Sequence, residues 1–150
     1  MDEWRNMLDV NVLSLQLCTQ LAVKSMIKNS ITDGQIILVN SMSGHRVPPS
    51  PKTRFYTATK HAVTALCEGW RQEIRELGNN NIRIAQLSPG VVETEFSEVM
   101  NKDKAKAEAL YKSMDCLQSG EMADCIKFIL EAHPRMQIHD ILVRPTQQKF

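Results

Sequence analysis

The sequence predicts an α/β fold built on a parallel sheet, and three observations carry that prediction. Strand-like and helix-like segments alternate along the chain in the order α-β-α-β-α-α-β. The first strand candidate holds the unbroken aliphatic run Ile36-Ile37-Leu38-Val39, a pattern suited to a strand covered on both faces. The intervening helical stretches are long enough for right-handed crossovers between parallel neighbours.

The elements follow in order. Residues 3–28 contain no Gly or Pro and close near Lys28-Asn29-Ser30, which predicts one long helix. Its apolar residues Val10, Val12, Leu13, Leu15, Leu17, Leu21 and Val23 wrap most of the circumference, so burial on two sides is expected, against a sheet and against another helix of this chain or of a second subunit. Asp9 and Asn11 interrupt that surface. Thr32-Asp33-Gly34 reads as a turn into a strand at residues 35–40. Ser41-Met42-Ser43-Gly44 opens a loop in which Pro48, Pro49 and Pro51 block helix. A second long helix, residues 55–77, is closed by Gly78-Asn79-Asn80-Asn81. Residues 82–87 form a second strand, ended by Ser88-Pro89-Gly90. Charge density rises and periodicity weakens over residues 95–118, with one helix expected at residues 102–113, where Lys102, Asp103, Lys104, Lys106 and Glu108 read as a solvated face. Ser119 is the expected N-cap of a helix through Glu131 that buries Met122, Cys125, Ile126, Ile129 and Leu130. Residues 138–143 supply a third strand. No linker divides the chain.

Composition narrows the functional classes. With 150 residues, 43% hydrophobic and 23% charged, the chain is neither disordered nor collagen-like nor a coiled coil. Eighteen basic against 17 acidic side chains leave a formal charge of +1, which gives no electrostatic case for nucleic acid or an anionic membrane as partner. Cys18, Cys67, Cys116 and Cys125 form no C-x-x-C pair, and His45, His61, His133 and His139 are scattered, so no metal site and a reduced, cytoplasmic setting are expected. Asp2, Glu3 and Trp4 follow Met1 directly, without the pattern of a signal peptide. No transmembrane segment is expected, because the longest aliphatic run falls far short of the roughly 20 residues that span a bilayer. The six glycines make no G-x-G-x-x-G or phosphate-binding loop. Trp4 and Trp70 are assigned to the core or to a subunit contact.

In a parallel sheet, ligands bind beyond the carboxyl ends of the strands. Ser43 follows the first strand, and Pro89-Gly90-Val91-Val92-Glu93-Thr94 follows the second. Between them Tyr56 and Lys60 stand i and i+4, so both project from one helical face. A free phenol titrates near ~10 and exchanges protons poorly at neutral pH; a nearby ammonium favours the phenolate and makes Tyr a usable acid-base. A serine hydroxyl can polarise the same substrate oxygen. A lone Tyr-x-x-x-Lys arises by chance in roughly one chain in eight of this size, so specificity rests on the joint pattern. Ser41, two positions before Ser43, reads as a strand-end polar residue.

That pattern closely resembles the short-chain dehydrogenase/reductase family. Leu38 through Gly44 is similar to its strand five and serine loop, Tyr56-Thr57-Ala58-Thr59-Lys60 to its Y-x-A-S-K signature, Ser88 through Thr94 to its P-G-x-x-x-T segment, and Asp9-Val10-Asn11 to its helix-four asparagine motif. Ser43-Gly44-His45-Arg46-Val47 and Arg144-Pro145-Thr146 most resemble the branch that holds farnesol dehydrogenase and the vertebrate family member 11. The resemblance implies a Rossmann-like doubly wound sheet of which this chain holds the C-terminal part, strands five to seven. It implies hydride transfer between NADP(H), or NAD(H), and a lipophilic alcohol or ketone. Tyr56 would be the general acid/base and Ser43 would hold the substrate oxygen. Lys60 would lower the Tyr56 pKa and bind the nicotinamide ribose, and Asn11 would hold a kinked helix and continue the proton relay. Pro89, Gly90, Val91, Val92, Glu93 and Thr94 would meet the cofactor, and residues 95–118 would form the substrate lid. Helices 3–28 and 55–77 would be the homo-oligomer contact. The family's glycine loop and N-N-A-G segment have no counterpart here, so a truncated, non-catalytic partner protein stands as the alternative; a sugar-nucleotide epimerase is disfavoured by the 90 residues after Lys60. An unpaired first strand is expected to promote aggregation.

Overall fold

The computed structural model describes residues 1–50 and 53–149, with the backbone alone at Asn101. Pro51, named above among the helix-blocking prolines, lies outside the described residues. The first helix runs as α1 (Asp2–Leu8), a π-helical segment (Asp9–Ser14) and α2 (Leu15–Lys28). Then come β1 (Gly34–Val39), a 3₁₀ turn (Met42–Gly44), α3 (Arg54–Glu76) and β2 (Ile82–Pro89). The remainder is α4 (Phe96–Asn101), α5 (Lys104–Lys112), α6 (Ser119–Glu131) and β3 (Asp140–Val143).

The three strands form one parallel sheet in the order β1-β2-β3. Register puts Leu38 beside Gln86 and Gln86 beside Asp140, so Ile36, Leu38, Ile84, Gln86 and Asp140 share a face. The apolar end of that face is the core: Leu38, Ile82 and Ile84 pack on Val63, Cys67, Trp70 and Ile74 of α3 and on Val23 of α2. Trp70 meets its buried indole N–H by donating to Gln16 Oε1 at 2.8 Å. The opposite face is covered by α6 through Ile129, and the buried Arg83 reaches Asp33 at 2.7 Å and the Ala132 carbonyl at 2.9 Å. This is the predicted Rossmann-like α/β architecture, with three parallel strands and helices on both faces.

The structure corrects or sharpens several expectations. Within the single chain the outer side of the long helix is open: Val10, Leu13, Leu17 and Leu21 are exposed, with Leu13 at 60%, and only Thr19 and Val23 of α2 are buried. The same helix, Asp2–Lys28, has the length and mean hydropathy (1.2 in its most apolar stretch) of a membrane-crossing helix, a test of length and composition alone that core helices also pass. Trp4 is half exposed and stacks on Phe55 with ring centroids 5.3 Å apart, outside the core that holds Trp70. The α6 cap is Gln118, whose amide forms a capping box with Glu121, and of the five residues assigned to its buried face only Ile129 is fully buried while Leu130 is exposed. Residues 95–118 contain two helices rather than one, α5 capped by Asp103 accepting from the Lys106 N–H at 3.1 Å.

Candidate active site

The carboxyl ends of β1 and β2 open into a cleft of about 250 Å³. Its walls are the strand ends Val39, Asn40, Ser41 and Pro89-Gly90, the α3 side chains Tyr56 and Lys60, and Val92, Thr94 and Phe96 beyond β2. Tyr56 and Lys60 reach the cleft together because they lie one turn apart at the start of α3. The Lys60 ammonium stands 5.8 Å from the Tyr56 ring centroid and donates to the Val39 carbonyl at 3.1 Å, closing the last exposed carbonyl of β1. The Phe96 ring lies 5.8 Å from the Tyr56 ring at a 50° tilt, an apolar wall beside the phenol.

The serine that lines the cleft is Ser41; the expected Ser43 lies behind it. The Ser41 side chain hydrogen-bonds the Tyr56 side chain and lines the cleft. Ser43 is buried at 7% exposure behind it, and its backbone N–H donates to Ser41 Oγ at 3.1 Å. β1 ends at Val39, so Ser41 is the second residue past the strand and faces the open end of the sheet. Ser43 lies within the 3₁₀ turn that carries the chain back over α3. That turn sits so close to α3 that a Cβ at Gly44 would lie 2.8 Å from both the Lys60 carbonyl and Thr64 Oγ1.

Burial governs the electrostatics. It raises the Tyr56 pKa above its ordinary value, with the Ser41 hydrogen bond acting in the opposite direction, and it lowers the Lys60 pKa. Burial and the Ser41 hydrogen bond, not the expected influence of Lys60, set the direction of the phenol's shift. What Lys60 supplies is a donor and a positive charge at the cleft wall.

Asn11 sits within the π-helical segment, where the widened turn carries it toward α3, and its amide donates to Thr59 Oγ1 at 3.1 Å. Thr59 in turn donates to the Tyr56 carbonyl at 2.7 Å, linking Asn11 to the backbone of the first turn of α3. Of the segment after β2, Pro89, Gly90, Val92 and Thr94 line the cleft. Val91 and Glu93 do not. The Val91 N–H donates to Gln148 Oε1 at 3.0 Å, and Glu93 bonds to Leu117 and Gln118. Val92 pairs with Leu117 in an isolated bridge that holds this alternation. Among the described residues no cluster of His, Cys, Asp and Glu could hold a metal ion. The four cysteines are free.

The family model for the short chain dehydrogenase matches residues 1–105, seven-tenths of the chain. The chain belongs to that family. Its curated relatives include dehydrogenase/reductase SDR family member 11 of Bos taurus, 50% identical over 97% of this chain, and that of Homo sapiens, 49% identical over the same share. Farnesol dehydrogenase of Aedes aegypti is 38% identical over 97% of this chain. The chain spans 56–57% of the length of these relatives. Among solved structures, the closed form of a serine dehydrogenase complexed with NADP+ superposes with a TM-score of 0.89 at 26% identity, over 99% of this chain and 58% of that one. A 4-hydroxyisoleucine dehydrogenase complexed with NADH superposes with a TM-score of 0.73 at 25% identity, over 95% of this chain and 58% of that one.

Proposed function

We propose that this chain carries the catalytic half of an NADP(H)-dependent oxidoreductase acting on a lipophilic alcohol or ketone. The observation that carries the reading is the convergence of Ser41, Tyr56 and Lys60 on one cleft at the carboxyl ends of parallel strands.

The cleft suits one end of a dinucleotide. At about 250 Å³ it is smaller than the ~300–1,000 Å³ typical of whole ligand sites, room for a nicotinamide and its ribose but not for the adenosine half. Pro89, Gly90, Val92 and Thr94 would lie against that end, with Lys60 donating to the ribose hydroxyls. When bound, the reduced cofactor supplies the hydride. The chain's own residues then act on the oxygen: the Tyr56 hydroxyl donates its proton to the reducing carbonyl, and Ser41 Oγ donates a second hydrogen bond that fixes the oxygen and shares its developing charge. Lys60 keeps positive charge beside Tyr56 as the phenol gives up its proton, and the Asn11–Thr59 pair fixes the helical turn on which both stand. In alcohol oxidation the same groups run in reverse.

Residues 95–118 are the substrate lid in this reading. Phe96 brings an apolar ring to Tyr56, and Tyr111 ties the segment down by donating to the Thr94 carbonyl at 2.6 Å. The name of farnesol dehydrogenase, 38% identical, favours an apolar substrate. A second copy is the proposed partner for the helices at 3–28 and 55–77. A groove of about 430 Å³ between Val12, Gln16, Ala62, Ala65, Leu66 and Trp70 supports it.

The test is direct. Titration with NADPH should raise the melting temperature saturably, and addition of a lipophilic ketone should consume reduced nicotinamide. Absence of both would remove the proposal.

A further inference from the structure

Beneath the Ser41 loop, on the α3 side of the sheet, lies a polar cluster that the proposed chemistry does not use. Asp140, the first residue of β3, accepts from Ser88 Oγ at 2.8 Å and from Gln86 Nε2 at 3.2 Å, and His45 Nε2 lies 2.7 Å from its carboxylate and 3.0 Å from Ser88 Oγ. Gln86 accepts from Asn40 Nδ2 at 2.9 Å, and the same amide donates to Thr64 Oγ1 of α3 at 2.9 Å. Thr64 donates in turn to the Gly44 carbonyl at 3.0 Å.

The residue types are those of a hydrolytic triad, but the hydrogen bonds do not make one. Ser88 is fully buried and donates its own proton to Asp140, so no nucleophile faces a substrate. What the cluster does is mechanical. Asn40 immediately precedes Ser41 and His45 follows it by four residues, and both end on Gln86 and Asp140. The loop is thus gripped on both sides of the reactive serine, by Gln86 of β2 before it and by Asp140 of β3 after it.

We infer that Asp140 and His45 are positioning residues that hold the Ser41 hydroxyl against Tyr56. Asp140 does so from a strand end that contributes nothing to the cleft wall. The carboxylate accepts from Ser88 and Gln86 and has the His45 imidazole at 2.7 Å, so a partly buried charge is held in a fixed geometry. Without that hub the 3₁₀ turn would be free to swing away from α3 and take Ser41 with it. This inference rests on Ser41 and Tyr56 being the reacting pair.

Two readouts separate it from that reading. The first is independent of activity. Amide exchange at Ser43, Gly44 and His45, whose N–H groups bond to Ser41 and Met42, should accelerate on the order of tenfold in Asp140→Asn and His45→Leu. Because the Ser41 hydrogen bond works against the burial that raises the Tyr56 pKa, ultraviolet titration of Tyr56, isolated by difference from Tyr56→Phe, should move to higher pH in both variants. His45→Gln, which keeps a neutral donor of similar reach, should restore slow exchange and the original titration. The exposed Asp124→Asn serves as the control. The second readout is turnover of NADPH with a lipophilic ketone, where His45→Leu should lower kcat with KM for NADPH unchanged. Unaltered loop exchange and Tyr56 titration in His45→Leu would overturn the clamp, as would failure of His45→Gln to restore them. Full activity of Tyr56→Phe would instead overturn the catalytic reading, whatever the loop does. If Asp140→Asn does not fold, the half-exposed His45 position carries the test alone.

Discussion

The two flanks of β1 are finished to different degrees. On the side facing β2 and α3, every layer is closed: Val63, Ile74 and Ile82 have no accessible surface, and polar groups above them pair from strand to strand. On the other side β1 has no neighbour in the sheet among the described residues. Its outer edge joins Val10, Leu15 and Ala22 around an open groove of about 430 Å³, with Val39 at 58% exposure and Leu13, Leu17 and Leu21 standing in solvent. The difference teaches where the proposed chemistry is anchored. Ser41, Tyr56 and Lys60 hang from the closed flank, so their geometry does not depend on whatever covers the open one.

Substitutions can break or sharpen that contrast. The largest effect belongs to the cleft: Tyr56→Phe should cost on the order of 10³-fold in NADPH-dependent turnover without moving the melting temperature, measured by nicotinamide absorbance and calorimetry. Next comes the closed flank, where Ile74→Ala should destabilise by about 2–5 kcal/mol in denaturant unfolding. The matching change on the open flank, Leu17→Gln, should stay within about 0.5 kcal/mol, and a larger loss would mean that the flank is covered in solution. Light scattering should show concentration-dependent self-association that Val39→Lys reduces, because a charge at an open strand edge blocks pairing. The smallest effect is chemical. Cys67, its thiol pushed up to about 11 chiefly by burial, should be alkylated near neutral pH far more slowly than the exposed Cys18, as peptide mass spectrometry would show.

The strands and the two long helices were legible because their signals are local. Ile36 through Val39 and the Gly78-Asn79-Asn80-Asn81 stop need no tertiary context to be read. Tyr56 and Lys60 were legible for the same reason, since a four-residue helical spacing fixes their common face. Ser41 was not. Choosing between two serines two residues apart required knowing where β1 ends and how tightly Gly44 packs on α3, and neither is written in spacing. The available signal was the end of the aliphatic run at Val39, which places Ser41 first at the open end of the sheet. The second partner of each polar group was equally hidden: nothing near His45 in sequence points to Asp140, which lies 95 positions away and meets it only through the register of β3 on β2. The exposure of Leu13 and Leu17 within the single chain was not legible, because an apolar helix surface shows what could be covered, not what covers it.

The π-helical turn at Asp9–Ser14 amounts to a helix with a surplus residue. Removing one residue from it would let the segment relax into an uninterrupted α-helix, and everything upstream would rotate by about 100° relative to α2. Trp4 would leave Phe55, Glu3 would leave Lys102, now 2.6 Å away, and Asn11 would turn from Thr59, while the core beneath α2 and α3 stayed as it is. The seven residues of α1 are therefore indexed to the site by a count, and a single-codon deletion there would unhook them from it while sparing the fold.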